Sequence, residues 1–470
     1  MPDFDIAVVG ADAAGLAVAA GASQLGLRVA LIERGGMGRD CVTAGSLPSQ
    51  ALLAAARACR VVRQAGRFGI AGGDPSVSWE AVHVHMHRVV EDVAPASSVA
   101  RYQGLGVMVM PGEARFADPS TLIVDDRRIS ARRIVIATGS GAVAPPLPGL
   151  ESAPHWTDET LFSLPERPDH LLILGGGPIG LEMADAFSSF GCRVTLIEAA
   201  CIAPREDTEL VDGLRLALAA NRVTILEQTP VARVMSGPVV LLADGRRIAG
   251  SHLLVTTDRK PNIDHLDLRA GNVRVGPSGI ATDRGLRSLT NRRVFAVGGI
   301  ADPAGVGPRT SAHVADQHAA IVIRRMLFHL PARVDYAALP RVTYTDPELA
   351  QTGMTEAEAR DSGLRPRVLR WPLADNDRAV AERQSRGLVK LVLDGERLVG
   401  AGVLAPNAGE MISLFSLAIS RRMPISALAG LIVPYPTRSE AGKRAAGNFY
   451  MPKLFSNRTR RLVRILSWLP

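Results

Sequence analysis

Apolar positions in this chain fall into short continuous runs separated by glycine-rich turns and alanine-rich stretches, the pattern of strands buried on both faces of a parallel sheet. From Asp5 to Arg34 an apolar strand (IAVV) is followed by a turn (GADAAG), an alanine-rich helix, a second strand (RVALI) and a closing acid, Glu33. The same order returns from Leu171 to Ala199, LLILGGGPIGLEMADAFSSFGCRVTLIEA, where the closing acid is Glu198. Each stretch predicts a βαβ unit in which N–H groups at the helix N-terminus hold a pyrophosphate and the terminal glutamate takes a ribose hydroxyl. A single fingerprint is weak. Two complete strand–turn–helix–strand units, starting their turns at Gly10 and Gly175, predict a protein with two dinucleotide sites.

Between them, RIVIATG (133–139) reads as a buried strand ending in a tight turn, followed by a proline-rich connector. NRRVFAVGGIAD (291–302) predicts a further buried strand, and from Leu339 strands and helices alternate. Residues 452–469, PKLFSNRTRRLVRILSWL, place Leu462, Ile465, Leu466 and Leu469 on one helical face, with Arg460, Arg461 and Arg464 elsewhere, a basic amphipathic helix suited equally to an anionic membrane surface or to packing on its own dimer.

The 470 residues are 47% hydrophobic and 21% charged, which predicts a globular chain of about three domains. Net charge is +8, yet no nucleic-acid motif or aromatic-interleaved basic patch accompanies it, so a nucleic-acid partner is not expected. Cys41, Cys59, Cys192 and Cys201 form no CxxC pair, which fits a reducing cytoplasm, and no metal site is expected. Neither a signal peptide nor an apolar run of spanning length is evident.

The segment GMGRDCVTAGSLPSQALL (36–53), the two fingerprints and the stretch RVTYTDPELAQTGMTEAEA (341–359) together resemble the class I pyridine nucleotide-disulfide oxidoreductases, in their mercuric reductase and dihydrolipoamide dehydrogenase branch. The resemblance covers nearly the whole chain to about residue 450. It implies an α/β fold with two Rossmann-like dinucleotide-binding domains, FAD-type and NAD-type, and a C-terminal α+β dimerisation domain in a homodimer. The expected division is 1–152 and 273–338 for the FAD-type domain, 153–272 for the NAD-type domain, 339–451 for the interface domain and 452–470 for the tail.

The resemblance also exposes departures. Of the family's two redox cysteines the first is Cys41, whereas the second position is Ser46, and the lysine two residues after the proline is Gln50. A dithiol relay needs both sulfurs. Cys41 therefore reads as a residual thiol, in preference to one cycling through a sulfenic acid. At the first fingerprint Gly10, Gly15 and Glu33 are in place, but the middle glycine is Asp12, a carboxylate beside a pyrophosphate. The family's aspartate after Gly298 is Gly299, while Ala114, Thr138, Gly139 and Ala312 match flavin-contacting positions. The second fingerprint is complete in Gly175, Gly177, Gly180 and Glu198, and Glu198 favours NAD(H) over NADP(H). Glu182 matches the glutamate that pairs with the missing lysine, so it is expected to be either solvated or raised in pKa. In the segment VPYPTRSEAGKRAA (433–446) Glu440 of the family's dyad is kept and its histidine is Tyr435, a poor general base at neutral pH.

Two functions are compatible with these residues. One is an NADH-dependent flavoenzyme passing electrons through FAD to a small-molecule, non-disulfide acceptor such as a quinone, with the tail touching a membrane from the cytoplasmic side. The other is a catalytically degenerate, FAD-poor NAD-binding or partner-binding scaffold.

Overall fold

The computed structural model describes residues 1–38 and 45–469, and the chain divides into two compact units. The first comprises Met1–Pro168, Arg233–Val239 and His252–Val334; the second comprises Asp169–Ala232, Val240–Ser251 and Asp335–Pro470.

In the first unit, parallel strands run in the order Val107–Pro111, Val29–Glu33, Phe4–Val9 and Arg127–Ile136, with Val294–Ala296 beside the last of these. Their apolar runs are buried on both faces, as a parallel sheet covered by helices requires. The register sets Val9 opposite both Ile32 and Ile136, and Ile136 opposite Ala296. Four strands thus end level, and the turns after them open on one carboxyl edge, where open α/β sheets bind ligands. The N-terminal half of Arg127–Ile136 serves a second purpose: it pairs antiparallel with Thr121–Val124, which pairs with Ala114–Asp118. Helix Ala13–Gln24 lies close to helix Ala312–Leu327, and a Cβ at Gly21 would stand 2.7 Å from Ile323 Cδ1.

The second unit holds the parallel strands Val223–Leu226, Arg193–Ile197 and His170–Leu174, again with level ends: Leu174 faces Ile197, and Ile197 faces Leu226. Its other layer is an antiparallel sheet in the order Arg341–Thr343, Glu348–Gly353, Arg397–Ala405, Leu388–Asp394 and Arg367–Pro372. Helices Ala408–Ser420 and Glu440–Gly447 share one apolar core with this sheet, where Gly442 leaves room for the Phe415 ring. Lys390, only 4% exposed, joins the two layers, with its ammonium 2.8 Å from Asp207, 2.9 Å from Glu209 and 2.8 Å from Glu356. A buried cation so surrounded has its charge and its three donors met, and removing one carboxylate would leave one of those N–H donors unsatisfied while two carboxylates still balance the charge.

The tail departs from a single helix. Met451–Leu454 and Asn457–Leu466 are separate, because Ser456 caps the second one and its hydroxyl accepts the Thr459 N–H. Among the described residues no helix is long and apolar enough to cross a membrane.

Candidate functional site

The first glycine-rich turn leaves the sheet at Gly10, whose φ of +102° lies in the left-handed region that glycine tolerates. A Cβ there would stand 2.3 Å from the Ala137 carbonyl oxygen, and one at Gly15 would stand 2.1 Å from the carbonyl oxygen of Gly10. Both glycines are therefore demanded by the packing of strand, turn and helix, whatever they also offer a ligand. Asp12 is different. It caps helix Ala13–Gln24 in extended conformation, open to any residue, and its side chain makes no capping hydrogen bond.

Glu33 closes this turn from the neighbouring strand. Its carboxylate accepts the Ala11 N–H at 2.6 Å through Oε2 and the Gly35 N–H at 2.7 Å through Oε1. Glu198 repeats the arrangement in the second unit, taking the Gly176 N–H at 2.6 Å and the Ala200 N–H at 2.9 Å. The two glutamates expected at ribose hydroxyls are thus also clamps on their own turns, and spare lone pairs remain on each. In that second turn Gly175 has φ +113°, a Cβ at Gly176 would crowd Ile202 and Glu198, and a Cβ at Gly177 would meet nothing within 4 Å. Gly180 is buried in the helix that follows.

Around the first turn a cleft opens, lined by Gly10, Glu33, Ala114, Thr138, Asn262 and His265 among others. Thr138 and Gly139 are laced to Asn262. The Thr138 hydroxyl donates to the Asn262 carbonyl at 2.6 Å, the Asn262 side chain donates to the Thr138 carbonyl at 3.0 Å, and the Asn262 N–H donates to the Gly139 carbonyl at 3.0 Å. Nothing in the local sequence marks Asn262 for this task, because its partner lies over a hundred residues earlier. Arg34 and Glu113, which also line the cleft, pair at 3.1 Å. The cleft sits at the carboxyl edge with a carboxylate aimed at the turn, so the residues present fit the adenosine end of FAD.

The Gly298–Gly299 turn at the same edge is held from below. The N–H of Gly298 (φ +74°) donates at 3.1 Å to Nδ1 of the fully buried His318, and burial pushes that imidazole down to about 4. His318 is thus a neutral acceptor that fixes the turn, a positioning role that the motif context alone did not disclose. A side chain at Gly299 would put its Cβ 3.0 Å from Thr310 Cγ2. Ala312 begins the helix carrying His318.

Cys41 lies outside the described residues. Ser46 is the exposed first residue of helix Ser46–Gln64, and Gln50 lies half-buried one turn on. Among the described cysteines, Cys59 is half-buried, Cys192 buried and Cys201 exposed, and none is in a disulfide. No group of three or more metal-ligating side chains was found among the described residues.

In the second unit Glu182 resolves the alternatives set by the sequence. It is 7% exposed, accepts the Tyr344 N–H at 3.0 Å, and is pushed up to about 7, chiefly by burial and further by the nearby Glu348, although the Tyr344 N–H opposes the shift. Tyr435 and Glu440 do not bond to each other. The Tyr435 hydroxyl donates to Asp377 at 2.7 Å, a bond that raises its pKa, while Glu440 pairs with Arg444 at 2.7 Å. Tyr435 is 69% exposed within its chain, so its ring remains available to another surface.

With two level-ended nucleotide folds and an antiparallel interface layer, the architecture is that of a flavin- and nicotinamide-dependent reductase, and the comparisons agree. The chain belongs to the pyridine nucleotide-disulphide oxidoreductase family, which it matches over residues 4–319, and it carries that family's dimerisation domain over 339–446. It is 34% identical to a mercuric reductase of Streptomyces lividans over 95% of this chain and 96% of that one. It is 30% identical to a dihydrolipoyl dehydrogenase of Geobacillus stearothermophilus over 93% and 94% of the two chains. Among solved structures it is similar to the Cu(II) complex of the HOCl-induced flavoprotein disulfide reductase RclA of Escherichia coli (TM-score 0.85, 26% identity, 95% of this chain and 100% of that one). Family members of this type bind FAD and NAD(P)H, and the dimerisation domain supports a homodimer.

Proposed function

We propose that this chain is an NAD(P)H-dependent flavin oxidoreductase that works without the family's redox disulfide. It would carry out NADH + H⁺ + quinone → NAD⁺ + hydroquinone, two electrons and one proton leaving the nicotinamide as hydride and a second proton coming from solvent. Bound FAD supplies the two-electron relay between donor and acceptor. The observation that carries this reading is Ser46 at the second redox position, since a lone Cys41 cannot make and break an S–S bond within one chain. Support also comes from the absence of any cysteine after Cys201, which leaves no C-terminal pair to receive a metal ion or a disulfide.

In this reading Glu182 and Gln50 tune the flavin environment, Glu182 as a carboxyl that holds its proton up to about neutral pH. Tyr435 lines the acceptor pocket, and its hydroxyl is protonated throughout the working range. A peripheral membrane contact through residues 452–470 would bring a lipid-borne quinone within reach of a protein otherwise placed in the cytoplasm. One observation favours the second reading, an FAD-poor scaffold: the Asp12 carboxylate at the pyrophosphate position.

The test is the absorbance spectrum. Purified protein is expected to be yellow, with close to one flavin per chain, bleaching on addition of NADH. Colourless protein that takes up no flavin from added FAD would overturn the proposal and leave the scaffold reading standing.

A further inference from the structure

After Glu440 the chain contains no acidic residue, while Lys443, Arg444, Lys453, Arg458, Arg460, Arg461 and Arg464 supply seven cations. Helix Asn457–Leu466 buries none of its residues, and Leu454, Phe455, Leu462, Ile465, Leu466 and Leu469 are all exposed. At helical spacing Leu462, Ile465 and Leu466 form one stripe, which Leu469 follows three residues past the helix end, and Arg460, Arg461 and Arg464 flank the opposite side. Trp468, 87% exposed, stands at the end of the helix. An apolar stripe with a cationic back and a terminal tryptophan suits the boundary between acyl chains and headgroups.

We propose that this tail docks the protein on a bilayer surface rich in anionic phospholipid, with the helix lying in the plane of the interface. A ten-residue helix is too short to span hydrocarbon, so it lies on the surface rather than across it. Charge selects the occupant. A second copy of this chain also carries a net charge of +8, whereas an anionic bilayer offers the complement along the whole acid-free segment. The tail follows the dimerisation domain, which ends at residue 446, so a homodimer carries two such helices. Each is weak alone, and two tails that reach one bilayer together would bind with the gain that a second tethered contact provides. This docking does not depend on the identity of the electron acceptor.

Vesicle flotation of the full-length protein tests it, using phosphatidylcholine alone and phosphatidylcholine with about 30 mol% phosphatidylglycerol. Binding is expected to the mixed vesicles only, and to fall steeply as salt is raised. Replacing Arg460, Arg461 and Arg464 by glutamine should weaken partitioning on the order of a hundredfold, about fivefold for each cation. Replacing Leu462, Ile465 and Leu469 by serine keeps all seven cations and should abolish flotation, with NADH oxidation by a water-soluble acceptor unchanged in both variants. Equal binding to both vesicle types, or none, would overturn the proposal. Full binding by the serine variant would reduce the tail to a general polyanion binder and also overturn it. Dissociation of the serine variant into monomers would place the stripe against the partner subunit, with the same consequence.

Discussion

Asp12 and Gly177 hold matching backbones at matching points of the two glycine-rich turns, with φ −79° and ψ 174° for the first and φ −74° and ψ 178° for the second. Neither conformation requires glycine. What glycine provides at position 177 is room, because a Cβ there would meet no atom within 4 Å. At position 12 a carboxylate is carried into the corresponding place, at a helix N-terminus where a ligand's phosphates are expected.

Asp12→Gly should therefore tighten FAD binding. At about 4 Å and an effective dielectric near 20, one carboxylate–phosphate repulsion is worth ~4 kcal/mol before any relief by rotation toward solvent. At least about a tenfold fall in the FAD dissociation constant is expected, read by flavin fluorescence quenching, with NADH affinity unchanged. An unchanged FAD constant would show that the carboxylate already turns away from the site.

Restoring the aspartate at position 299 meets a steric condition. A charge-assisted hydrogen bond to the flavin's ribityl chain is worth about 1.5–3 kcal/mol, but the new Cβ would lie 3.0 Å from Thr310 Cγ2. Gly299→Asp alone should gain little FAD affinity. Combined with Thr310→Ser, which removes that methyl group, it should gain about tenfold or more. Equal gains from the single and double variants would remove Thr310 from the argument.

Glu182 makes stability depend on pH in a defined window. Below its ordinary value of 4.5 the carboxyl is protonated in both folded and unfolded chains and contributes nothing. Between 4.5 and about 7 the unfolded chain ionises while the buried group keeps its proton, so stability falls as pH rises, by about 3 kcal/mol in all. Glu182→Gln, which can still accept the Tyr344 N–H, should match the parent near pH 4.5 and exceed it by up to about 3 kcal/mol at pH 8. Urea titrations at the two pH values read the difference, and a pH-independent difference would contradict the assignment.

His318 acts in the opposite direction. The unfolded imidazole takes a proton near 6.5 and the buried one only near 4, so stability is full above 6.5 and falls as pH is lowered toward 4, by about 3 kcal/mol. His318→Gln retains an acceptor for the Gly298 N–H and should lose correspondingly less between pH 7 and pH 4. A parallel loss in parent and variant would assign acid lability elsewhere.

The parts legible in the sequence were those written in local pattern. Gly10, Gly15, Gly175 and Gly177 sit in turns that the apolar runs and spacing announce, and the structure places them where strand meets helix. What escaped was held by contacts distant in the chain. Glu33 and Glu198 could be read as ribose acceptors, but not as clamps on Ala11 and Gly176, because those partners are backbone N–H groups that any residue supplies. Asn262 laces a turn over a hundred residues away, and Tyr435 spends its hydroxyl on Asp377 rather than Glu440, a choice set by where the start of helix Asp377–Ala381 meets the loop carrying Tyr435. The break in the tail was written locally, in Ser456, yet the stronger apolar periodicity masked it.

The central claim is thiol-free electron transfer, and the most direct measurement is NADH oxidation by a short-chain quinone in Cys41→Ala. The account expects turnover within about twofold of the parent, since no S–S bond is made or broken on the route. A fall of about a hundredfold or more, with flavin content unchanged, would contradict it and place Cys41 in the chemistry.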